Sequence, residues 1–192
     1  MSADAWGQVP ALLERDEPRG QLAALAAASL RGRGSLAAIV GAPGEGKTAL
    51  LREAAALGER AGLSVWSARG SALEGSFAFG VVRQLLQPAV MNVDRHERAE
   101  MFTGAARLAG GVLDLDQRRA PLEPFAARQG LYWLLVALAR RGPLMLLVDD
   151  AHWADEPSLL WLASLTRRVE DMNVLVVVAA RPSTTAARAK GR

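Results

Sequence analysis

Cysteine is absent from this sequence of 192 residues, and only two of its 23 basic residues, Lys47 and Lys190, are lysines. Without cysteine, disulfide scaffolds and cysteine-based zinc or redox sites are excluded. No apolar run approaches the roughly 18 residues of a transmembrane helix, and Met1–Pro10 lacks the basic start and apolar core of a secretory signal. We therefore expect a cytoplasmic protein that does not bind membranes.

A large excess of one charge is also absent, because 23 basic and 20 acidic residues leave a formal net charge of only +3. An excess this small does not indicate a nucleic-acid partner by itself, and we expect no direct nucleic-acid binding by this segment. Hydrophobic residues make up 51% of the chain, which is enough for a sizeable core. Length and composition together favour one α/β domain.

The clearest motif is Gly41–Thr48, with the sequence GAPGEGKT. It fits the phosphate-binding pattern G-x-x-x-x-G-K-[ST] at every fixed position. An apolar run at 36–40 predicts a buried strand before it, and strong helix formers at 49–57 predict a helix after it, which is the context that the pattern requires. A glycine-rich turn with an incidental lysine is the alternative, and this context makes it the weaker one.

Each part of this loop has a chemical task. Glycines let backbone N–H groups ring a phosphate closely, and the helix N-terminus adds the positive end of its dipole. Lys47 is a compact point charge in a chain that otherwise uses arginine, and it is predicted to reach the β- and γ-phosphates. The Thr48 hydroxyl is predicted to bind Mg²⁺. The predicted nucleotide-binding residues of the loop are Gly41, Ala42, Pro43, Gly44, Glu45, Gly46, Lys47, Thr48 and Ala49.

Strands and helices are predicted to alternate along the rest of the chain. Further strands are expected at 63–68, at 144–148 before two acids, and at 173–180. Helices are expected at 21–30, 77–86, 95–108, 125–141 and 158–168, the second of them stopped by Pro88. The alternation predicts a parallel sheet with helices on both faces, and ligands of such sheets gather at the carboxyl ends of the strands.

Two adjacent acids and an arginine follow predicted strands at that edge. Asp149 ends an apolar run, as in the second nucleotide-binding motif, and is predicted to hold Mg²⁺ opposite Thr48. Asp150 is placed to polarise an attacking water as a general base. Arg181 is a candidate sensor of the γ-phosphate, and with Lys47 it completes the catalytic candidates. The alternatives are two solvated acids at a strand end and an ordinary surface arginine.

Four residues near the acids are predicted to have structural tasks. Asp155 is expected to cap the N-terminus of the helix that follows it. His152 is expected to support the site rather than act as a base or a ligand. Trp153 and Trp161 are expected to pack against other residues rather than form a platform for adenine.

Several segments, taken in order, resemble a known family. They are LERDE at 13–17, GAPGEGKT at 41–48, FGVVRQLL at 79–86, LLVDDAHWADEPSLLWL at 146–162 and VVVAARP at 176–182. The set is similar to the N-terminal ATPase domain of large ATP-binding LuxR-type transcriptional regulators. These belong to the signal-transduction ATPases with numerous domains (STAND) and are related to AAA+ proteins. The resemblance covers residues 12–182.

The resemblance implies a three-layer P-loop ATPase sheet of the additional-strand class, in which the strand before Arg181 lies between the loop strand and the Asp149 strand. It implies that Lys47, Thr48, Asp149 and Arg181 serve ATP and Mg²⁺. The lead-in that includes Arg15 is implied to help form the adenine pocket. Asp150 stands where vigorous AAA+ hydrolases carry the longer glutamate, so slow turnover is expected.

Three functions stay open at this point. The first is a nucleotide switch that hydrolyses ATP slowly and is read through self-association or by downstream regulator domains. The alternatives are a stand-alone P-loop ATPase or kinase, and a truncated, non-catalytic remnant. The expected organisation is a flexible lead-in at 1–11, an ATPase core at 12–182, and a disordered tail or truncated continuation at 183–192. The family's fifth strand, helical lid and DNA-binding domain are expected to be missing.

Overall fold

The computed structural model of the chain describes residues 16–72, 77–113 and 123–182. Two of its helical segments are 3₁₀ helices, at Gly104–Gly111 and Ala151–Trp153. The strands are β1 (Ser35–Val40), β2 (Ser64–Arg69), β3 (Leu144–Asp149) and β4 (Val174–Ala180). The α-helices are α1 (Asp16–Ser29), α2 (Lys47–Ala61), α3 (Gly80–Met91), α4 (Arg95–Met101), α5 (Pro124–Ala139) and α6 (Glu156–Leu165).

The four strands form one parallel sheet in the order β1-β4-β3-β2. β4 therefore lies between the loop strand and the Asp149 strand, as the resemblance implied. Every residue of β3 is buried, which is typical of a central parallel strand covered on both faces. Among the described strands, β1 and β2 lie at the two edges of the sheet.

Helices cover both faces of the sheet, so the α/β three-layer P-loop NTPase fold is confirmed. Alternate residues of β3 belong to different clusters, because successive side chains of a strand point to opposite faces. Met145 and Leu147 pack with Leu51 of α2 and Leu22 of α1. The opposite face of β3 packs with α3, α5 and α6 through a larger cluster that includes Leu146, Val148, Val82, Leu131, Leu134 and Trp161.

Helix α3 differs from its predicted bounds at both ends. The sequence predicted a helix over 77–86 that Pro88 would stop, but α3 runs from Gly80 to Met91 with Pro88 inside it. An interior proline removes one helical hydrogen bond and crowds the preceding turn. Here the buried side chains of Leu86 and Val90 flank Pro88 and hold the helix against the core. Tertiary packing therefore outweighs the local preference of proline.

The helix predicted over 95–108 is broken into two segments. Helix α4 ends at Met101, and the 3₁₀ helix Gly104–Gly111 follows, with Gly104 in the left-handed region at a φ of 56°. The second segment packs closely on α5, where a Cβ at Gly130 would lie 2.5 Å from the Ala109 backbone nitrogen. The close contact with α5 explains why Gly130 is a glycine in the interior of a long helix.

None of the helices in the described ranges combines the length and the apolar character that crossing a membrane requires. The predicted lead-in at 1–11 and the predicted tail at 183–192 lie outside those ranges.

Candidate functional site

The predicted site residues meet at the carboxyl edge of the sheet. Gly41 follows β1, Asp149 ends β3, and Arg181 follows β4. The register pairs Val40 with Ala180, Arg69 with Asp149, and Val148 with Val178, so the ends of all four strands lie within about one residue of each other. In an open α/β sheet, this edge is where ligands bind.

The phosphate loop turns sharply between β1 and α2. Gly44 and Gly46 adopt left-handed φ angles of 85° and 72°, which glycine adopts without the steric cost that a Cβ would add. Gly46 is also the N-cap of α2. The first N–H groups of an α-helix have no acceptor within the helix, and those of α2 belong to Lys47, Thr48 and Ala49. These groups and the dipole of α2 suit an anion in the loop.

Lys47 and Glu45 both contact the start of the loop. The Lys47 Nζ donates hydrogen bonds to the carbonyl oxygens of Gly41 and Ala42, at 2.9 and 2.7 Å. The Glu45 carboxylate accepts a hydrogen bond from the Ala42 N–H at 2.7 Å, and a Cβ at Gly41 would collide with that carboxylate. The lysine ammonium therefore lies within the loop rather than in solvent.

Thr48 and Asp149 are in direct contact. The Thr48 hydroxyl donates to Asp149 Oδ2 at 2.8 Å, across 101 positions of sequence. Asp149 is buried, with 1% of its surface exposed, and its other carboxylate oxygen accepts a hydrogen bond from the Asp150 N–H at 2.9 Å. A buried carboxylate needs such partners, because its desolvation is costly. A direct hydrogen bond thus joins the two predicted magnesium ligands, Thr48 and Asp149.

Asp150 is held by a residue that the sequence analysis did not select. Arg69, at the end of β2, donates from Nε and Nη2 to Asp150 Oδ2, at 3.0 and 2.7 Å. The hydrogen bond that Arg69 donates to Asp150, followed by the attraction of the negative charge on that carboxylate, raises the pKa of Arg69 above its ordinary value. Asp150 itself has a left-handed φ of 48°. Arg69 directly follows the strand predicted over 63–68, as Arg181 follows the strand predicted over 173–180, so its place at the carboxyl edge could have been predicted, although its contact with Asp150 could not.

The residue after β2, Gly70, packs closely against the loop that follows β3. The Gly70 N–H donates to the Asp149 carbonyl oxygen at 2.9 Å. A Cβ at Gly70 would lie 2.4 Å from the Asp150 carbonyl oxygen and 2.9 Å from the Ala154 nitrogen, so only glycine fits there. This close approach brings Arg69 within reach of Asp150.

Helix α3 also reaches Arg69, through the carboxamide of Gln84. The Arg69 N–H donates to Gln84 Oε1 at 3.0 Å, and Gln84 Nε2 donates to the Arg69 carbonyl oxygen at 3.2 Å. The carboxamide thus pairs with both backbone groups of one residue at the edge of the sheet. No sequence motif marks Gln84 for this contact.

Asp155 caps α6 as predicted, and it also caps α3. Its Oδ1 accepts from the Ser158 N–H at 2.8 Å and from the Phe79 N–H at 2.7 Å. The Ser158 hydroxyl oxygen accepts from the Val82 N–H at 3.3 Å. Phe79 is left-handed, at a φ of 61°, a strained conformation for a bulky residue. One buried carboxylate therefore joins the N-termini of two helices.

The remaining predicted residues differ in their surroundings. Trp161 is fully buried, as expected for a packing residue, whereas Trp153 is 45% exposed, contrary to expectation. Its ring lies 5.2 Å from that of His152, whose two ring nitrogens are buried and make no hydrogen bond within the described part of the chain. Arg181 is exposed at the end of β4. Arg15 lies outside the described residues.

The fold and the loop together define a P-loop NTPase. The sequence matches the AAA ATPase domain family over residues 11–177. The chain therefore belongs to that family, which implies that it binds nucleotide.

Two further comparisons add little to this assignment. The comparison with curated proteins found no relative. Among solved structures, a chain in the Drosophila ORC bound to GC-rich DNA and Cdc6 is similar at a TM-score of 0.37 and 14% identity, over 93% of this chain and 56% of that one. This chain thus spans little more than half of that one, and a likeness this low says nothing about ligands or partners.

Proposed function

We propose that this chain is a nucleotide switch that binds ATP together with Mg²⁺ and hydrolyses it slowly. The observation that carries the proposal is the hydrogen bond of 2.8 Å between Thr48 and Asp149. It joins the end of the phosphate loop to the acid of the second motif, which are the two parts that a P-loop NTPase uses around its metal ion.

The donor set at this position fits Mg²⁺. A hydroxyl and a carboxylate are hard oxygen ligands, and Mg²⁺ is commonly held by one or two protein oxygens together with phosphates and water. The described residues contain no cluster of three or more His, Cys, Asp or Glu side chains that would hold a metal without a nucleotide. In our proposal Thr48 and Asp149 would hold the ion, which would neutralise charge on the phosphates.

Lys47 is proposed to exchange partners when ATP binds. Its ammonium now contacts two carbonyl oxygens of the loop, and phosphate oxygens offer it stronger, charge-assisted hydrogen bonds. The other loop residues and the first turn of α2 are proposed to contribute N–H groups to the phosphates. Arg181 is proposed to contact the γ-phosphate, and Arg15 the adenine pocket.

In our proposal hydrolysis is slow because Asp150 is shorter than the glutamate of vigorous AAA+ hydrolases, and the partner that Asp150 already has slows it slightly further. A general base must accept a proton from the attacking water, and the ion pair with Arg69 occupies one oxygen of the carboxylate that would accept it. The Arg69 side chain is 66% exposed, and exposed ion pairs contribute only about 0.2–1 kcal/mol. The restraint on Asp150 is therefore small enough for bound ATP to rearrange it.

We further propose that this switch belongs to a LuxR-type transcriptional regulator, whose downstream domains or self-association read the nucleotide state. The support is the order of the segments that resemble that family. In this proposal the segment itself does not bind DNA. Tight, salt-resistant binding of the isolated chain to duplex DNA would contradict this part of the proposal.

The test is a titration of ATP into the isolated chain, with Mg²⁺ and with EDTA. We expect saturable binding that Mg²⁺ strengthens and that Lys47→Ala abolishes. Arg60→Ala is the matched control, since it removes one positive charge from the last turn of the same helix and should leave binding unchanged. Binding that survives Lys47→Ala would contradict the site. Turnover above about 1 s⁻¹, the low end of ordinary enzymes, would contradict the switch.

A further inference from the structure

Gln84 lies outside the phosphate loop and the acidic pair, yet it binds the backbone of the residue that holds Asp150. β2 is an edge strand of the described sheet, and an edge strand presents N–H and C=O groups without a strand partner. At Arg69 the Gln84 carboxamide takes the place of such a partner. Its oxygen accepts from the Arg69 N–H at 3.0 Å, and its nitrogen donates to the Arg69 carbonyl oxygen at 3.2 Å. This fixes the backbone from which the Arg69 guanidinium reaches Asp150.

The helix that carries Gln84 is itself tied to the loop after Asp150. Asp155 and Ser158 bind N–H groups at the start of α3, and Asp155 lies five positions after Asp150 in the chain. Asp150 is thus connected to α3 in two ways. The first connection is through the Arg69 side chain and Gln84, and the second is through Asp155, which follows Asp150 in the chain. A shift of α3 would change the position of Arg69 relative to Asp150.

We propose that Gln84 is a positioning residue that holds Arg69 on Asp150, so that α3 sets whether the Asp150 carboxylate stays paired with Arg69 or is released. The inference rests on the proposed function, because the contact between Gln84 and Arg69 affects turnover only if the protein hydrolyses ATP. Gln84 contacts β2, whereas the phosphate loop follows β1 at the opposite edge of the described sheet, so we expect its effect on turnover rather than on ATP binding. Its exposed side chain makes the substitution compatible with folding.

The test compares Gln84→Met with Gln87→Met. Both substitutions keep the length of the side chain and remove its hydrogen bonds, but Gln87, one turn further along α3, donates to the Leu113 carbonyl oxygen at 3.2 Å and not to β2. We expect Gln84→Met to raise kcat about two- to fivefold, the size that release of an exposed ion pair allows, with the dissociation constant for ATP unchanged. Gln87→Met should leave both values unchanged.

A second comparison separates positioning from a general loosening of the fold. In an Arg69→Ala background, Gln84→Met should have no further effect on kcat, because the residue that it positions is gone. An equal rise in both backgrounds, or an equal rise with Gln87→Met, would overturn the proposal.

A readout that needs no nucleotide keeps this proposal distinct from the proposed function. The Arg69 Nε–H donates to Asp150 at 3.0 Å, so its NMR signal should exchange slowly with water in the original chain and in Gln87→Met, and faster in Gln84→Met. If the original chain neither binds nor hydrolyses ATP, the proposed function fails while this signal still tests the contact. An Arg69 signal that is unchanged in Gln84→Met would overturn the role of Gln84.

Discussion

Asp149 and Asp150 are neighbours in the chain, but they differ in exposure, backbone and partners. Asp149 ends β3, is buried, and accepts a hydrogen bond from Thr48 of α2. Asp150 is left-handed, its side chain is 21% exposed, and it accepts hydrogen bonds from Arg69 of β2. Two adjacent residues thus carry one carboxylate that contacts the helix after the phosphate loop and one that contacts the opposite edge strand.

The two environments suit two different tasks in the proposed switch. Buried Asp149 has fixed partners on both oxygens, which suits a residue that holds a metal ion in one geometry. Asp150 has an exposed partner whose attraction is weak, which suits a group that must be released before it can accept a proton. We therefore expect changes at Asp149 to affect Mg²⁺-dependent binding, and changes at Asp150 to affect turnover.

The largest expected effect is that of Asp150→Asn on turnover. Loss of a general base commonly costs about 10²–10⁴-fold in rate, whereas ATP binding should stay close to that of the original chain. The measurement is single-turnover hydrolysis beside an ATP titration. Asp171→Asn is the control, since it neutralises an exposed acid before the amino end of β4, at the opposite edge of the sheet. A rate that Asp150→Asn leaves unchanged would contradict its role as the base.

Next in size is the effect of Asp149→Asn on Mg²⁺-dependent binding. A carboxylate that supports a metal ion, often through water, contributes about 10–100-fold to metal affinity. We expect the gain in ATP affinity on adding Mg²⁺ to fall by that factor, with the affinity in EDTA unchanged. The check is an ATP titration at several Mg²⁺ concentrations. An equal loss in EDTA would show that Asp149 acts on the loop and not on a metal ion.

The smallest expected effect is a gain in turnover from Arg69→Ala. Removal of the exposed ion pair should free Asp150 and raise kcat about two- to fivefold, and Arg69→Lys, which keeps the charge but loses the planar fork, should lie in between. Added salt should raise kcat of the original chain toward that of Arg69→Ala, because it screens exposed charges. A fall in kcat with Arg69→Ala would contradict the proposal that Arg69 restrains Asp150.

The part of the site that a local pattern defines was predictable from the sequence. The pattern places the loop, the lysine and the threonine within Gly41–Thr48, because in P-loop proteins these parts surround one phosphate chain. Asp149 was found because a buried parallel strand is a continuous apolar run that ends where ligands bind. The place of β4 between β1 and β3 followed from the resemblance and is confirmed.

The part that depends on strand order and helix contacts was not predictable. Arg69 meets Asp150 only because β2 pairs with β3, in a register that sets Arg69 level with Asp149. Gln84 meets Arg69 only because α3 packs beside β2, and Pro88 was expected to end that helix before its packed last turn formed. Such contacts leave no spacing pattern, since their partners lie on separate elements.

The division of tasks between the two carboxylates is tested most directly by one ATP titration, with and without Mg²⁺, of the Asp149→Asn and Asp150→Asn variants side by side. We expect Asp149→Asn to lose the gain in affinity that Mg²⁺ gives and Asp150→Asn to keep it. Equal behaviour of the two variants, or binding that does not respond to Mg²⁺ in the original chain, would contradict the division of tasks between these two carboxylates.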